Sequence, residues 1–189
     1  MSFLFIGRKC VVFSFFHLDF LTDFLKIIEM IDTIISNDHT IMEDIMVRLT
    51  DYTHELETNV LDMHLKDEQA LYYPNPNEVL SQLGKDEHDH LCVILSQERP
   101  AGIVFMHHVS PTHYLLKAMM IDAAYQNRGV GKNAMLDVIQ KLKNRNVRTV
   151  GTYLLKHNQR GLDFLLKTGF TIKEDRDQDY YLELQIYYY

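Results

Sequence analysis

The sequence predicts an α/β (α+β) fold: a mixed, mostly antiparallel central sheet flanked by helices, preceded by an N-terminal helical extension. Three observations predict it. From about residue 45 the hydrophobic period switches repeatedly between 2 and 3.6, so short strands and helices alternate. Between residues 91 and 121, three strand patterns are separated only by turn-length breaks, the signature of an antiparallel meander. A long amphipathic helix pattern at residues 129–144 then leads into a strand at 148–155, which layers helix against sheet.

The extension, residues 1–44, differs in composition from the domain at 45–189. Seven of the ten phenylalanines lie in it, which calls for burial. Arg8 and Lys9 precede an apolar run from Cys10 to Phe16 that superficially resembles a signal peptide. His17 and Asp19 interrupt that run, no small-residue cleavage site follows, and it is too short to span a bilayer. Leu21, Phe24, Leu25, Ile28, Ile31 and Ile35 then recur at helical spacing, predicting an amphipathic helix over residues 18–35. Its apolar face needs a partner, and a homodimer is one way to supply it.

In the domain, residues 45–49 read as a strand and 53–69 as a helix rich in Glu and Leu. Pro74 and Pro76 mark a loop, and a short helix at 78–83 ends at Gly84. Strands at 91–95, 101–109 and 115–121 are punctuated by Glu98-Arg99-Pro100 and Ser110-Pro111-Thr112. A helix at 158–167 stops at Thr168-Gly169, and strands at 170–173 and 180–186 close the chain.

The net charge of -7 argues against a general nucleic-acid binder, which would carry the opposite sign. The same charge would concentrate a cationic substrate. Cys10 and Cys92 form no CxxC pair and no disulfide framework, as expected of a cytoplasmic, reducing compartment. His88-Asp89-His90 and His107-His108 lack metal-ligand spacing, so no metal is expected.

Chemistry concentrates where the third meander strand ends. Met119-Met120-Ile121-Asp122 runs into Gln126-Asn127-Arg128-Gly129-Val130-Gly131-Lys132, where a helix begins in glycines. Such a helix N-terminus presents free backbone N–H groups and the positive end of a dipole, a site for phosphate oxygens. Arg128 and Lys132 could add charge-assisted contacts. A Gly-x-Gly alone is weak, since it completes neither a dinucleotide fingerprint nor a Walker loop.

Gln-x-x-Gly-x-Gly after a strand ending in Met-Ile-Asp resembles the pyrophosphate-binding motif of the GNAT superfamily of N-acetyltransferases. Asn158-Gln159-Arg160-Gly161-Leu162-Asp163-Phe164-Leu165-Leu166-Lys167-Thr168-Gly169-Phe170 resembles that family's second block, and one helix and one strand separate the two. The resemblance spans residues 46–186 and implies an N-acetyltransferase that uses acetyl-CoA. It implies that the backbone of Met119, Met120 and Ile121 pairs with the pantetheine arm, with an N–H there polarising the thioester carbonyl. It assigns the pyrophosphate to the segment from Gln126 to Lys132 and a further cofactor contact to Asn158. As a plain helix N-cap Asn158 needs no ligand, and both roles are compatible.

Two positions depart from the family. Leu165 stands where many relatives carry a proton-donating Tyr, and Tyr153 stands where some carry a Glu base. Tyr153 is a poor base but could donate a proton or a hydrogen bond. Proton transfer through water, substitution by Tyr153, His107, His108, Tyr180 or Tyr181, and binding of acyl-CoA without efficient catalysis all remain open. The Met-Ile-Asp…Tyr-Gln signature also resembles small bacterial polyamine acetyltransferases. The acceptor expected is therefore a small-molecule primary amine, a polyamine among the candidates. No membrane partner is expected.

Overall fold

The computed structural model describes residues 2–6, 9–13, 46–66, 69 and 75–187. The chain divides into two compact units, Met1–Glu43 and Asp44–Tyr189. In the first, β1 (Ser2–Ile6) pairs antiparallel with β2 (Lys9–Phe13), Ser2 opposite Phe13 and Ile6 opposite Lys9. The extension thus opens as a hairpin. Val11-Val12-Phe13, read above as part of an undivided apolar run, is β-branched and aromatic and suits a strand. The helix expected over residues 18–35 lies outside the described residues, as do Tyr188 and Tyr189.

The second unit is built on a seven-stranded sheet of order β3-β4-β5-β6-β7-β9-β8. Its strands are β3 (Val47–Asp51), β4 (Asp89–Ser96), β5 (Arg99–Ser110), β6 (His113–Ile121), β7 (Thr149–Leu155), β8 (Thr171–Asp175) and β9 (Asp179–Gln185). All neighbours are antiparallel except β6 and β7. Among the described residues the α-helices are α1 (Glu57–Leu61), α2 (Pro76–Gln82), α3 (Val130–Asn144) and α4 (Gln159–Lys167). No helix among them is long and apolar enough to cross a membrane.

The helix expected over residues 53–69 is cut short. A single 3-10 turn at His54–Leu56 leads into α1, which ends at Leu61. Tertiary hydrogen bonds compete with its continuation. The His64 N–H donates to Asp122 Oδ2 at 2.9 Å, and the His64 carbonyl accepts from the Ala123 N–H at 2.8 Å. This draws the chain after α1 down onto the end of β6. By contrast α2 starts two residues early. Asn75 and Glu78 form a reciprocal capping box, and Pro76 needs no N–H donor partner in the first turn.

Two cores cover the two faces of the sheet. One gathers Val130, Ala134, Met135, Val138 and Leu142 of α3 with Leu162 and Leu165 of α4 and with Phe170, Leu182 and Leu184. The other gathers Val60, Met63 and Val79 with Val93, Ile103 and Phe105. Strand β6 changes allegiance between them. Tyr114 and Leu116 belong to the first core, but Ala118 and Met120 belong to the second. Strict alternation would put all four on one face. The cause is a register shift opposite Phe105 and Met106, which pair with Ala118 and Leu116 and leave Lys117 as the extra residue of a β-bulge. Met119 and Met120 each meet a core, on opposite sides of the sheet.

The open edge of β3 is capped by side chains of α3. The Leu49 N–H donates to Asp137 Oδ2 at 2.7 Å, and Lys141 Nζ donates to the Leu49 carbonyl at 3.1 Å. These stand in for a missing neighbouring strand and blunt the edge. Asp137→Ala is expected to cost about 1.5–3 kcal/mol, the range for a hydrogen bond to a charged group. Urea denaturation with an unchanged m-value checks it.

Cys92, half-buried on β4, has its thiol pushed up to about 11 from an ordinary 9, by burial first and by Asp51 second. Its thiolate fraction near pH 8 is therefore about 100-fold below that of an ordinary thiol. Alkylation at pH 8, read by peptide mapping at Cys92, is expected to be slow in the native chain and fast in urea.

Candidate functional site

The sheet opens at its centre. Strands β6 and β7 pair only at His113–Thr149, Tyr114–Val150 and Leu115–Gly151. Beyond them β6 stays with β5 as far as Ile121 opposite Gly102, while β7 stays with β9 as far as Leu155 opposite Asp179. The bulge at Lys117 adds twist where the two halves part. Buried Thr152 closes the apex, its hydroxyl donating to the Leu116 carbonyl at 2.9 Å. Past that point β6 turns an unpaired edge toward a wedge-shaped cleft.

A cavity of about 270 Å³ occupies this region. Met119, Met120 and Ile121 line it from β6, Gln126, Asn127, Gly131 and Lys132 from the loop and first turn of α3, and Asn158 from the start of α4. These eight expected residues are brought together. Residues missed in the sequence complete the wall: Leu65, Gln69, Arg160, Gly161 and Phe164. Three of them lay inside the Asn158–Phe170 block, and Gly161 and Phe164, three apart on a helix, share a face. Leu65 carried no local signal, because its place depends on the Asp122–His64 hydrogen bond.

The loop before α3 folds for a reason visible in its backbone. Asn127 at φ 61 and Gly129 at φ 80 sit in the left-handed region that Asn and Gly tolerate best. Gly129 is the N-cap of α3 and supplies no side-chain acceptor, so the first-turn N–H groups have no side-chain cap. Cationic groups surround this end. Lys132 lines the cavity, and the Arg160 guanidinium donates to Asn127 Oδ1 at 2.8 Å. Gln126 ties the loop to the strand, its amide donating to the Ile121 carbonyl at 2.9 Å and to Gln69 Oε1 at 2.7 Å. Its own Oε1 is buried with no hydrogen-bond partner. Asn158 is buried and caps α4, accepting from the Gly161 N–H at 2.8 Å while also lining the cavity.

Four expected residues stand apart. Arg128 and Gly129 are exposed and do not line the cavity, and the Val130 side chain is buried in the first core, leaving only its backbone to the loop. Tyr153 is 49 % exposed on β7, outside the cavity lining. Its ring lies 5.0 Å from that of Tyr181 and 4.8 Å from the Arg176 guanidinium. Tyr181 donates to Glu183 at 2.9 Å, and burial followed by that carboxylate pushes its hydroxyl up to about 12. Leu165 is buried in the first core and offers no proton. Among the described residues no three His, Cys, Asp or Glu side chains converge as metal ligands.

The lining suits an extended ligand with an anionic middle. It joins an unpaired strand edge, an N–H-rich loop at a helix N-terminus and cationic side chains. The family model described as Acetyltransferase (GNAT) family matches residues 55–170. No curated protein matches the chain. Solved structures share the fold. The PaiA N-acetyltransferase of Thermoplasma acidophilum, in complex with coenzyme A, is 12 % identical with a TM-score of 0.60, over 74 % of this chain and 98 % of that one. The ribosomal-protein-S18-alanine N-acetyltransferase of Escherichia coli is 16 % identical with a TM-score of 0.60, over 75 % and 94 %. A GNAT family acetyltransferase of Elizabethkingia anophelis with acetyl-CoA bound is 16 % identical with a TM-score of 0.56, over 74 % and 97 %.

Proposed function

As the chain belongs to the GNAT family of acetyltransferases, we propose that it moves the acetyl group of acetyl-CoA to a primary amine of a small molecule, by direct transfer in a ternary complex. The observation that carries this reading is the parting of β6 from β7 beside the uncapped start of α3.

Each part of the cleft has a task in that reaction. Backbone N–H groups from Asn127 to Lys132 hold the pyrophosphate, with Lys132 supplying charge. The unpaired edge of β6 at Met119–Ile121 takes the pantetheine arm as a strand would take a neighbour. An N–H of Met120 or Ile121 hydrogen-bonds the thioester oxygen and stabilises the negative charge that grows there on attack. Asn158 reaches the arm from the other wall. The cavity fits these tasks, because the first turn of α3, which has no side-chain cap, meets it through Gly131 and Lys132 with N–H groups that need acceptors.

The acceptor side favours a cationic amine. Glu55 in the 3-10 turn before α1, and Asp62, Glu78, Asp86 and Glu87 on or after α1 and α2, are exposed, beside the helices that carry Val60 and Val79 into the second core. Residues 45–189 are read as the catalytic domain, and residues 1–44 as an appended arm that could pair two copies. Putrescine, spermidine and a peptide with an N-terminal Ala, offered with acetyl-CoA in a thiol-release assay, test the acceptor. Turnover of diamines is expected. Turnover of the peptide alone would replace the small molecule with a protein acceptor. Saturable coenzyme A binding with no transfer to any amine would instead favour an acyl-CoA-binding regulator.

A further inference from the structure

The cleft has two walls, and the tasks given above put cationic charge on only one of them. Lys132 and the backbone N–H groups hold the pyrophosphate from the α3 side, while the other wall carries Asn158, Arg160, Gly161 and Phe164 to the cavity. We propose that Arg160 clasps the cofactor: its guanidinium binds the pyrophosphate of acetyl-CoA from the α4 side, closes the cleft behind the pantetheine arm, and makes the pyrophosphate a requirement in the acyl donor. The proposal rests on the acetyl-transfer reading and gives a task to a residue to which that reading assigns none.

Three observations carry it. The first is place. Arg160 is the second residue of α4 and lines the cavity, and its Nη2 donates to Asn127 Oδ1 at 2.8 Å. Asn127 lies two residues before Gly129, the N-cap of α3. One hydrogen bond and one short side chain therefore separate the guanidinium from the backbone that faces the pyrophosphate.

The second is chemistry. Arg160 and Asn127 are both exposed, so the bond between them competes with water and contributes little to the fold. The Asn127 amide is a neutral acceptor. A pyrophosphate oxygen is anionic, and phosphate accepts the planar guanidinium fork in two parallel bonds, each roughly twice as strong as a bond between neutral groups. Pyrophosphate is therefore the better partner, and Asn127 turns the guanidinium toward it before it arrives.

The third is connection. Arg160 follows β7, which continues into the half of the sheet with β9, and Asn127 follows β6, which ends the other half. The two halves pair only as far as Leu115–Gly151, so the Arg160–Asn127 bond spans the opening between them. Asn158 anchors this span. It is buried and caps α4 through the Gly161 N–H at 2.8 Å, and a Cβ at Gly161 would lie 2.6 Å from Asn158 Nδ2, so glycine lets the first turn close on its cap. A pyrophosphate held by α3 on one side and by Arg160 on the other ties the two halves together. Its release then requires both grips to open, which lengthens the residence of the cofactor.

The test titrates wild type, Arg160→Gln and Arg160→Lys by calorimetry with coenzyme A and with dephospho-coenzyme A, which keeps the pyrophosphate but lacks the ribose phosphate. Gln keeps an N–H donor for Asn127 without the charge, and Lys keeps the charge without the fork. Arg160→Gln is expected to weaken both ligands alike, by about tenfold or more, the size of a hydrogen bond to a charged group. Arg160→Lys should recover part of that loss. The gap between wild type and Arg160→Gln should narrow as salt rises, because an exposed charge is screened. The melting temperature of the free protein should not change.

An Arg160→Gln protein that binds coenzyme A within about twofold of wild type overturns the proposal and leaves the acetyl-transfer reading standing. A loss confined to coenzyme A also overturns it, because Arg160 would then read the ribose phosphate. So does a loss that salt leaves unchanged, or one that comes with a lower melting temperature of the free protein, because Arg160 would then serve the fold of the loop. Wild type that binds neither ligand defeats both the clasp and the acetyl-transfer reading.

Discussion

Gly131→Glu is expected to abolish coenzyme A binding while leaving the domain folded. Gly131 is the second residue of α3, has no left-handed φ, and faces the cavity. A Cβ built there meets nothing nearer than Ile121 Cγ1 and Phe164 Cε2, each at 3.5 Å, which is ordinary contact. Nothing in the protein therefore demands glycine at this position. A carboxylate in the first turn even suits the helix dipole, and glycine is the poorer helix former by about 1 kcal/mol relative to Ala. What glycine preserves is space and neutrality where a pyrophosphate would lie against backbone N–H groups. Gly131→Ala should thus hold or raise the melting temperature while weakening coenzyme A binding. Gly131→Glu should weaken it by more than about 100-fold, since it adds both bulk and like charge. Calorimetric titration alongside thermal unfolding separates the two effects. Gly129 is the wrong residue for this test, because at φ 80 any side chain strains the loop whether or not a ligand binds.

Phe170→Ala is expected to cost about 3–5 kcal/mol. Phe170 is 2 % exposed in the core between α3, α4 and the sheet. Its N–H donates to the Leu165 carbonyl at 3.0 Å, so the ring anchors the point where α4 gives way to β8. A domain of this size has about 5–15 kcal/mol in total, so the variant should lose a large part of its stability. The midpoint of urea unfolding should drop sharply with little change in slope. Coenzyme A affinity should fall as well, because α4 carries Asn158, Gly161 and Phe164 into the cleft.

These two residues mark how far the sequence could be read. Phe170 and the α3 stripe from Ala134 to Leu142 were legible because burial leaves a period in the chain. Gly131 was legible because Gly-x-Gly follows a strand and opens a helix. The bulge at Lys117 was not. It reverses the faces of Ala118 and Met120 through pairing with β5, and no property of the β6 sequence announces it. The short α1 was hidden for a similar reason, since its continuation loses to an Asp122 side chain 58 residues away. Strand β3 falls two residues later than its hydrophobicity suggests, at Val47–Asp51. The Gln97 N–H bonds the Met46 carbonyl and sets Val47 opposite Ser96. The hairpin of β1 and β2 turns between Ile6 and Lys9, ahead of the apolar run, and a run that is apolar throughout carries no period to mark it as strand.

The same limit applies to the site. Gln126, Asn127, Gly131, Lys132 and Asn158 could be named from motifs that resemble the family's, because those motifs are local. The parting of β6 and β7, which makes the cleft, is a property of three strands and a bulge. The Arg160–Asn127 bond joins residues 33 apart and became visible only when α4 folded beside the loop before α3.

A crystal structure of the chain with acetyl-CoA tests the central claim most directly. The pyrophosphate should sit against the N–H groups of Asn127 to Lys132, and the pantetheine arm should lie along Met119–Ile121 between β6 and β7. Acetyl-CoA bound elsewhere, with this cleft filled only by solvent at saturating ligand, would contradict it.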